Sequence, residues 1–208
     1  EGKTVVFGIT GGIAAYKAPL VVRGLKKMGL DVHAVMTEAA QHFVTPMVLQ
    51  TLTGSVIHTE MFPEVQKSSY DIDHIALADR ADLFLIAPAT ANFIAKLAQG
   101  IADDLLSCTV LATRAPVLVC PSMNMNMLQN KATQENLDTI RARGMHILEP
   151  ASGELACGWE GSGRLPEPER IVAEVKMLLS EHDLAGINIL ITSGPTCEDI
   201  DPVRFITN

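Results

Sequence analysis

The feature that most constrains this chain is its alternation of short, largely apolar runs with longer stretches of helical periodicity. Thr4–Ile9 (TVVFGI) reads as a strand buried on both faces. Residues 13–28 then carry Leu20, Val21, Leu25 and Met28 at helical spacing, and Gly29 ends that helix. Asp31–Met36 (DVHAVM) supplies a second strand, and 83–87 (LFLIA), 117–120 (VLVC), 145–148 and 187–192 supply others. Helical patterns fall at 90–99, 103–113, 131–143 and 167–181. Strands apolar on both faces, separated by helices, predict a parallel sheet covered by helices. The fold expected is α/β: a doubly wound, Rossmann-like domain.

In that architecture ligands lie beyond the carboxyl ends of the strands. The loops to inspect are therefore 10–12, 37–45, 88–92, 121–127 and 149–166. The last of these (EPASGELACGWEGSGRLP) has no periodicity and carries glycines at 153, 158, 161 and 163. A loop of that length in a small domain reads as a functional lid or a disordered segment.

Composition narrows the partners. Among 208 residues, 16 Lys and Arg stand against 24 Asp and Glu, a net charge of −8. That balance disfavours nucleic acid and anionic membranes, which call for clustered positive charge. The longest stretch without Asp, Glu, Lys or Arg, 39–59, holds Gln41, His42, Pro46, Gln50 and four threonines, and so does not read as a membrane span. No segment reads as a signal peptide. Cys108, Cys120, Cys157 and Cys197 form no CxxC pair and no zinc spacing, which fits reduced thiols in a cytoplasmic protein and no bound metal.

The first loop, Thr10-Gly11-Gly12-Ile13, has neither the GxGxxG nor the P-loop spacing. Two glycines at a strand-to-helix junction nevertheless expose backbone N–H groups suited to a phosphate or a ring edge, although an empty tight turn would look the same. The second strand ends at Met36-Thr37, where a dinucleotide fold usually carries an acid for the ribose hydroxyls. A Thr hydroxyl there leans toward a mononucleotide such as FMN, provided Glu38 points away. In 87–92 (APATAN), small residues would let a flat ring approach, and Thr90 or Asn92 could bond its edge. Simple helix capping by Thr90 explains the same residues.

For chemistry, His74 follows Asp71 and Asp73, carboxylates that would make it a plausible base if they lie close. A structural or solvated His is the plainer alternative. Residues 121–127 (PSMNMNM) follow a buried strand and read as adaptable core packing or as a pocket offering an Asn amide. Cys108 and Cys120 read as inert core thiols. Cys157, beside Trp159 in the glycine-rich loop, is a candidate acid, nucleophile or redox group.

Taken in order, these segments resemble one family, the homo-oligomeric flavin-containing cysteine decarboxylases. The residues that carry the resemblance are 10–17 (TGGIAAYK), His74 in DHIALA, 88–92 (PATAN), 121–127 (PSMNMNM), and 156–158 (ACG) followed by 161–166 (GSGRLP). It covers about 4–180, with Phe93 where the family usually has Thr and Leu128 where it usually has Trp. The resemblance implies FMN against Gly11, Gly12 and Ile13, with Thr37 near its phosphate and Thr90, Ala91, Asn92, Phe93 and Ser122 along its edges. It implies His74 as catalytic base, Asn124 holding the substrate carboxylate, Cys157 as proton donor, and Glu154, Leu155 and Ala156 touching substrate. The activity implied is oxidative decarboxylation of 4′-phosphopantothenoylcysteine, followed by reduction to 4′-phosphopantetheine, in coenzyme A biosynthesis. It further implies trimers, packed as dodecamers in bacterial members.

Residues 187–208 resemble the opening of phosphopantothenate–cysteine ligase, which bacteria fuse behind the decarboxylase. The expected domains are therefore 1–182, binding FMN, and 183–208, a linker and ligase start from which no ligase activity is expected. A non-catalytic flavin-binding regulatory subunit of the same fold is the main alternative, countered by the joint presence of His74, Asn124 and Cys157. A flavin prenyltransferase is disfavoured by PSMNMNM together with ACG, and an NAD-dependent dehydrogenase by the missing fingerprint.

Overall fold

In this computed structural model, residues 2–61, 73–154, 160–181, 186–195 and 197–207 are described. Five strands form one parallel sheet: β1 (Thr4–Ile9), β2 (Asp31–Met36), β3 (Leu83–Ala89), β4 (Val117–Pro121) and β5 (His146–Ile147). Their order is β2-β1-β3-β4-β5, so the winding reverses between β1 and β3. A further parallel bridge, Val35 to His58, covers the outer edge of β2.

Side-chain alternation on the strands sends one set of residues to each face. Val5, Phe7 and Ile9 of β1, with Leu83 and Leu85 of β3, pack against Val21, Val22 and Leu25 of α1 (Ala18–Lys27). Ile171 and Val175 of α8 (Pro168–Leu179) complete that layer. Val6, Phe84, Ile86, Val117 and Val119 face the opposite side. There they meet α3 (Asp73–Arg80), α4 (Ala91–Gln99), α5 (Leu105–Ala112) and α7 (Lys131–Ala142) through Leu77, Ile94, Leu106 and Ile140. Gly8 in β1 is needed for this, since a Cβ there would stand 2.6 Å from the Leu106 side chain. The doubly wound sheet is thus the architecture the alternation predicts.

Four of the expected segments form differently. The helix expected over 13–28 is split into a 3-10 turn, Ile13–Lys17, and α1. Pro19 lies in the first turn of α1, where its missing N–H costs nothing, and the α-helical ladder starts there. The strand expected at 145–148 is paired only at His146–Ile147. No strand forms at 187–192: Ile187, Ile189, Leu190 and Ile191 stand exposed, with no neighbouring strand among the described residues to pair them. A small hairpin of β8 (Cys197–Asp199) and β9 (Phe205–Thr207) follows instead.

The fourth difference matters most for function. The stretch 149–166 is not merely a loop, because β6 (Ala151–Glu154) and β7 (Glu160–Arg164) pair antiparallel within it. Its glycines explain why alternation is unreadable there: Gly153 and Gly163 have φ of +149° and +135°, outside the range of ordinary strand residues. Three short helices, α2 (Pro46–Thr53), α3 and α6 (Met125–Gln129), also form outside the helical patterns read from periodicity.

Candidate active site at the switch point of the sheet

The loops leaving β1, β2, β3 and β4 meet at the carboxyl edge of the sheet, around the point where the strand order reverses. Thr10, the first residue past β1, is buried with 1% of its surface exposed. Its hydroxyl donates to the Pro88 carbonyl at 2.7 Å and accepts from the Thr90 amide at 3.0 Å. One side chain therefore joins the two loops that flank the reversal. The Thr90 hydroxyl in turn accepts from the Phe93 amide at 3.4 Å and caps α4.

Gly11 lies against the 3-10 turn Glu38–His42 that follows β2: a Cβ on Gly11 would collide with the backbone and methyl group of Ala39. Gly12 has more room, its nearest such neighbour being the Thr90 methyl at 3.4 Å. Thr37 sits at the head of the 38–42 turn, its amide bonded to the Ile9 carbonyl at 3.1 Å and its hydroxyl accepting from Ala40 at 3.3 Å. Accepting this bond leaves the Thr37 hydroxyl its own proton to donate. Glu38 is exposed. Ile13 is largely exposed beside the crevice, and Ala91 and Asn92 occupy the first turn of α4.

Phe93 stands apart from this group. Its side chain is 1% exposed and packs into the core beneath α4, so only its main chain faces the loop. Leu128 is likewise a core residue. Both substitutions relative to the family pattern therefore lie among packed side chains.

The loop after β4 is held from two sides. Ser122 donates its amide to the Ala89 carbonyl at 3.0 Å, which keeps the β4 loop beside the β3 loop. Met123 donates its amide to the Gly163 carbonyl of β7 at 2.9 Å. Close approach is what both β7 glycines permit: a Cβ on Gly163 would meet the Met123 carbonyl, and one on Gly161 the Met125 sulfur. Asn124 caps α6, its Oδ1 accepting from the Asn126 amide at 2.8 Å, which fixes the plane of its side-chain amide.

His74 is the second residue of α3 and is half-buried. Because α3 leads into the amino end of β3 and packs on the sheet, its own amino end points toward the carboxyl edge. Asp71, the side chains of Asp73 and Glu154, and Leu155, Ala156 and Cys157 lie outside the described residues. The positions of Cys157 and of the lid contacts are therefore not part of this geometry.

Away from the crevice, burial pushes the Cys120 thiol far up, with Glu174 adding to the effect, and leaves it inert. Cys108 is raised the same way, by burial and then by Asp104 and Asp103. Among the described residues no group of three or more His, Cys, Asp or Glu is placed to hold a metal, and no helix is long and apolar enough to cross a membrane.

Sequence reasoning had not given Thr10 a role. Its signal was its place, as the first polar residue after an all-apolar strand. It had also missed Lys17, 6% exposed, whose ammonium meets Glu167 at 3.0 Å, and Arg164, which meets the other oxygen of the same carboxylate at 2.7 Å.

By architecture the molecule is one of the doubly wound α/β proteins whose ligands sit where the strand order reverses. The chain belongs to the Flavoprotein family, whose model matches residues 1–180. Residues 184–208 match a second model, the DNA/pantothenate metabolism flavoprotein C-terminal domain. The chain is 49% identical over 207 residues to the coenzyme A biosynthesis bifunctional protein CoaBC of Vibrio vulnificus, and 45% identical over 211 residues to that of Bacillus subtilis. All of this chain is covered in both matches, but only 51% and 52% of the relatives, so it spans about half their length.

Among solved structures, it resembles a cysteine-to-serine mutant of PPC decarboxylase complexed with pantothenoylaminoethenethiol. The TM-score is 0.77 at 28% identity, covering 85% of this chain and 98% of that one. It also resembles the FMN-dependent cysteine decarboxylase SpaF, with a TM-score of 0.72 at 32% identity, covering 86% and 98%. The FMN binding protein AtHal3 gives 0.73 at 29%, covering 84% and 95%.

Proposed function

We propose that this chain is an FMN-dependent decarboxylase that converts 4′-phosphopantothenoylcysteine to 4′-phosphopantetheine in coenzyme A biosynthesis. The observation that carries the reading is the crevice itself, in which Thr10 locks the β1 and β3 loops together while the β6–β7 hairpin is seated on the β4 loop. Its polar groups and its small residues fit a flavin mononucleotide. Gly11 permits close approach of the first loop to the 38–42 turn, and the hydroxyls of Thr37 and Thr90 can meet a phosphate or ring edge. Gly11, Gly12, Ile13 and Thr37 would hold the phosphate end, and Thr90, Ala91, Asn92 and Ser122 the ring, with Phe93 contributing main chain only. When bound, FMN supplies the two-electron acceptor and donor that oxidation of a thiol, and its reversal, require.

The chain's own groups then have distinct tasks. His74 would take the proton from the substrate thiol, so that loss of hydride from the adjacent carbon to the bound acceptor leaves a thioaldehyde. Asn124 presents its amide to the carboxylate that is lost as carbon dioxide, once the thiocarbonyl can accept the electron pair. Cys157 returns a proton to carbon in the enethiolate that remains. Glu154, Leu155 and Ala156 would contact substrate beside it. The similar PPC decarboxylase that carries a cysteine-to-serine change together with an enethiol ligand supports this order of events.

Self-association as trimers, assembled further into dodecamers, belongs to the same reading. Ile13, Tyr16 and Leu20 stand more than half exposed along the first helical segment, and Met47 and Val48 are exposed on α2, which packs beside it. In the longer bifunctional protein, residues 183–208 would lead into a fused ligase domain. The test is release of the cofactor by heat and assay of carbon dioxide from 4′-phosphopantothenoylcysteine. FMN without adenine, with carbon dioxide evolved, is expected. Recovery of FAD or NAD(P), or a colourless protein that cannot be reconstituted, overturns the assignment.

A further inference from the structure

Among the described residues the β6–β7 hairpin is seated in two ways. One is main chain, from the Met123 amide to the Gly163 carbonyl. The other is electrostatic and centres on Glu167, just past the foot of β7. Its Oε1 accepts from Arg164 at 2.7 Å and its Oε2 from Lys17 at 3.0 Å, so each oxygen serves a different element. Lys17 ends the 3-10 turn that begins at the first crevice loop, and its buried ammonium requires a partner. Arg164 lies over the other strand of the hairpin, since a Cβ on Gly153 would stand 3.5 Å from its guanidinium.

The Glu167 backbone is itself held. It is the N-cap of α8, flanked by buried Pro166 and Pro168, and its carbonyl accepts from the Arg170 and Ile171 amides at 2.9 and 3.2 Å. The hydrogen bond and charge of Lys17, with those of Arg164, outweigh the cost of burial and keep the Glu167 carboxyl below its ordinary range. It is therefore ionised wherever the two cations are present at neutral pH.

We propose that Glu167 is a positioning residue. Its carboxylate ties the crevice loop, through Lys17, to the hairpin, through Arg164, and fixes the hairpin's seat on the 121–127 loop, thereby setting substrate affinity. The inference rests on the decarboxylase reading above. With Glu167 neutral, both cations lose their ionic partner and, among the described residues, the main-chain bond from Met123 to Gly163 is left to hold the seat.

The test is Glu167→Gln in the full chain, followed by hydrogen–deuterium exchange and steady-state kinetics with 4′-phosphopantothenoylcysteine. Exchange at 160–164 and at Met123 should quicken while α1 and α8 keep wild-type protection. KM should rise about tenfold with kcat within about twofold, the split expected when binding rather than chemistry is weakened. FMN affinity should not change. Glu167→Asp should recover most of the KM. Lys17→Met should match Glu167→Gln, and the double variant should be no worse than either single one. Unchanged exchange at 160–164, or faster exchange spread equally through α1 and α8, overturns the proposal. A wild-type protein that binds FMN but does not turn over this substrate overturns the activity instead, and the exchange pattern still decides the role of Glu167.

Discussion

Thr10 and Thr90 follow different strands, β1 and β3, yet they are joined across the reversal of the sheet. The Thr10 hydroxyl accepts the Thr90 amide at 3.0 Å while donating to the Pro88 carbonyl at 2.7 Å. The hydroxyl is buried, so the bond is shielded from competing water. Replacing Thr10 with Val keeps the shape and strands both partners. Thr10→Val should therefore cost about 1–3 kcal/mol, the penalty for buried groups left unsatisfied. Urea denaturation measures it, and Thr10→Ser should stay near wild type. An unchanged midpoint for Thr10→Val would show that the two loops are held by other means.

The contrast between adjacent glycines gives a second prediction. Gly11→Ala drives a methyl group into Ala39, so the 38–42 turn must move, and Thr37 with it. Gly12→Ala adds a methyl at ordinary contact distance from Thr90. Flavin retained on purification, read from the visible spectrum, should be lost in the first variant and largely kept in the second. Equal retention would remove the 38–42 turn from the binding site.

Acid should loosen α5 through a single cap. Burial works against ionised Asp104, but its hydrogen bonds with Lys96 and with the Ser107 amide and hydroxyl outweigh that and hold its carboxyl below the ordinary value. The folded value being depressed, this stabilisation is complete above about pH 4, the unfolded carboxylate value, and is lost as pH falls through the lower folded one. Asp104→Asn keeps a cap acceptor but loses the ion pair. It should be less stable at neutral pH, and the difference should shrink below pH about 4. Thermal melts between neutral and strongly acid pH follow this, and a constant difference would exclude the ion pair as its source.

His74→Asn should retain flavin and assembly but lose turnover, since the substrate thiol keeps its proton. Near wild-type decarboxylation would make His74 structural. Asn124→Asp should fail differently, by repelling the substrate carboxylate with a like charge. Binding of substrate to the oxidised flavoprotein, followed by spectral titration, separates the two.

The order of steps is tested by Cys157→Ser. A hydroxyl of much higher pKa is a poor donor to the enethiolate carbon, so carbon dioxide should still be released while an enethiol accumulates and the flavin stays reduced. Single-turnover mass spectrometry with the spectrum recorded alongside reads both. Normal 4′-phosphopantetheine output would assign the proton to water or another side chain.

How much of this was legible in the sequence depended on burial. The runs at Thr4–Ile9 and 117–120 are plain because every residue in them but Thr4 is apolar and both faces are covered by helices. The β6–β7 hairpin was invisible because its glycines adopt backbone angles that carry no hydrophobic period, and its pairing is mostly main chain. Residues 187–192 misled for the converse reason, since an apolar run makes a strand only where a partner edge exists. In the crevice, glycines and threonines could be read one loop at a time. The contacts between loops, such as Thr10 with Pro88 and Lys17 with Glu167, join residues 78 and 150 positions apart, and no local pattern encodes them.

The bridge between Val35 and His58 has a consequence for how copies of this chain can meet. It gives the Met36 amide a partner in the His58 carbonyl, and the Ala34 carbonyl a partner in the His58 amide, on the side of β2 that would otherwise face outward. At the other border, β5 offers only two paired residues, His146 and Ile147. Neither border presents the long row of unpaired amides and carbonyls that another strand needs for docking. The main sheet is therefore a poor template for extension by a second molecule, and any self-association is expected through helices and loops rather than by adding strands to this sheet.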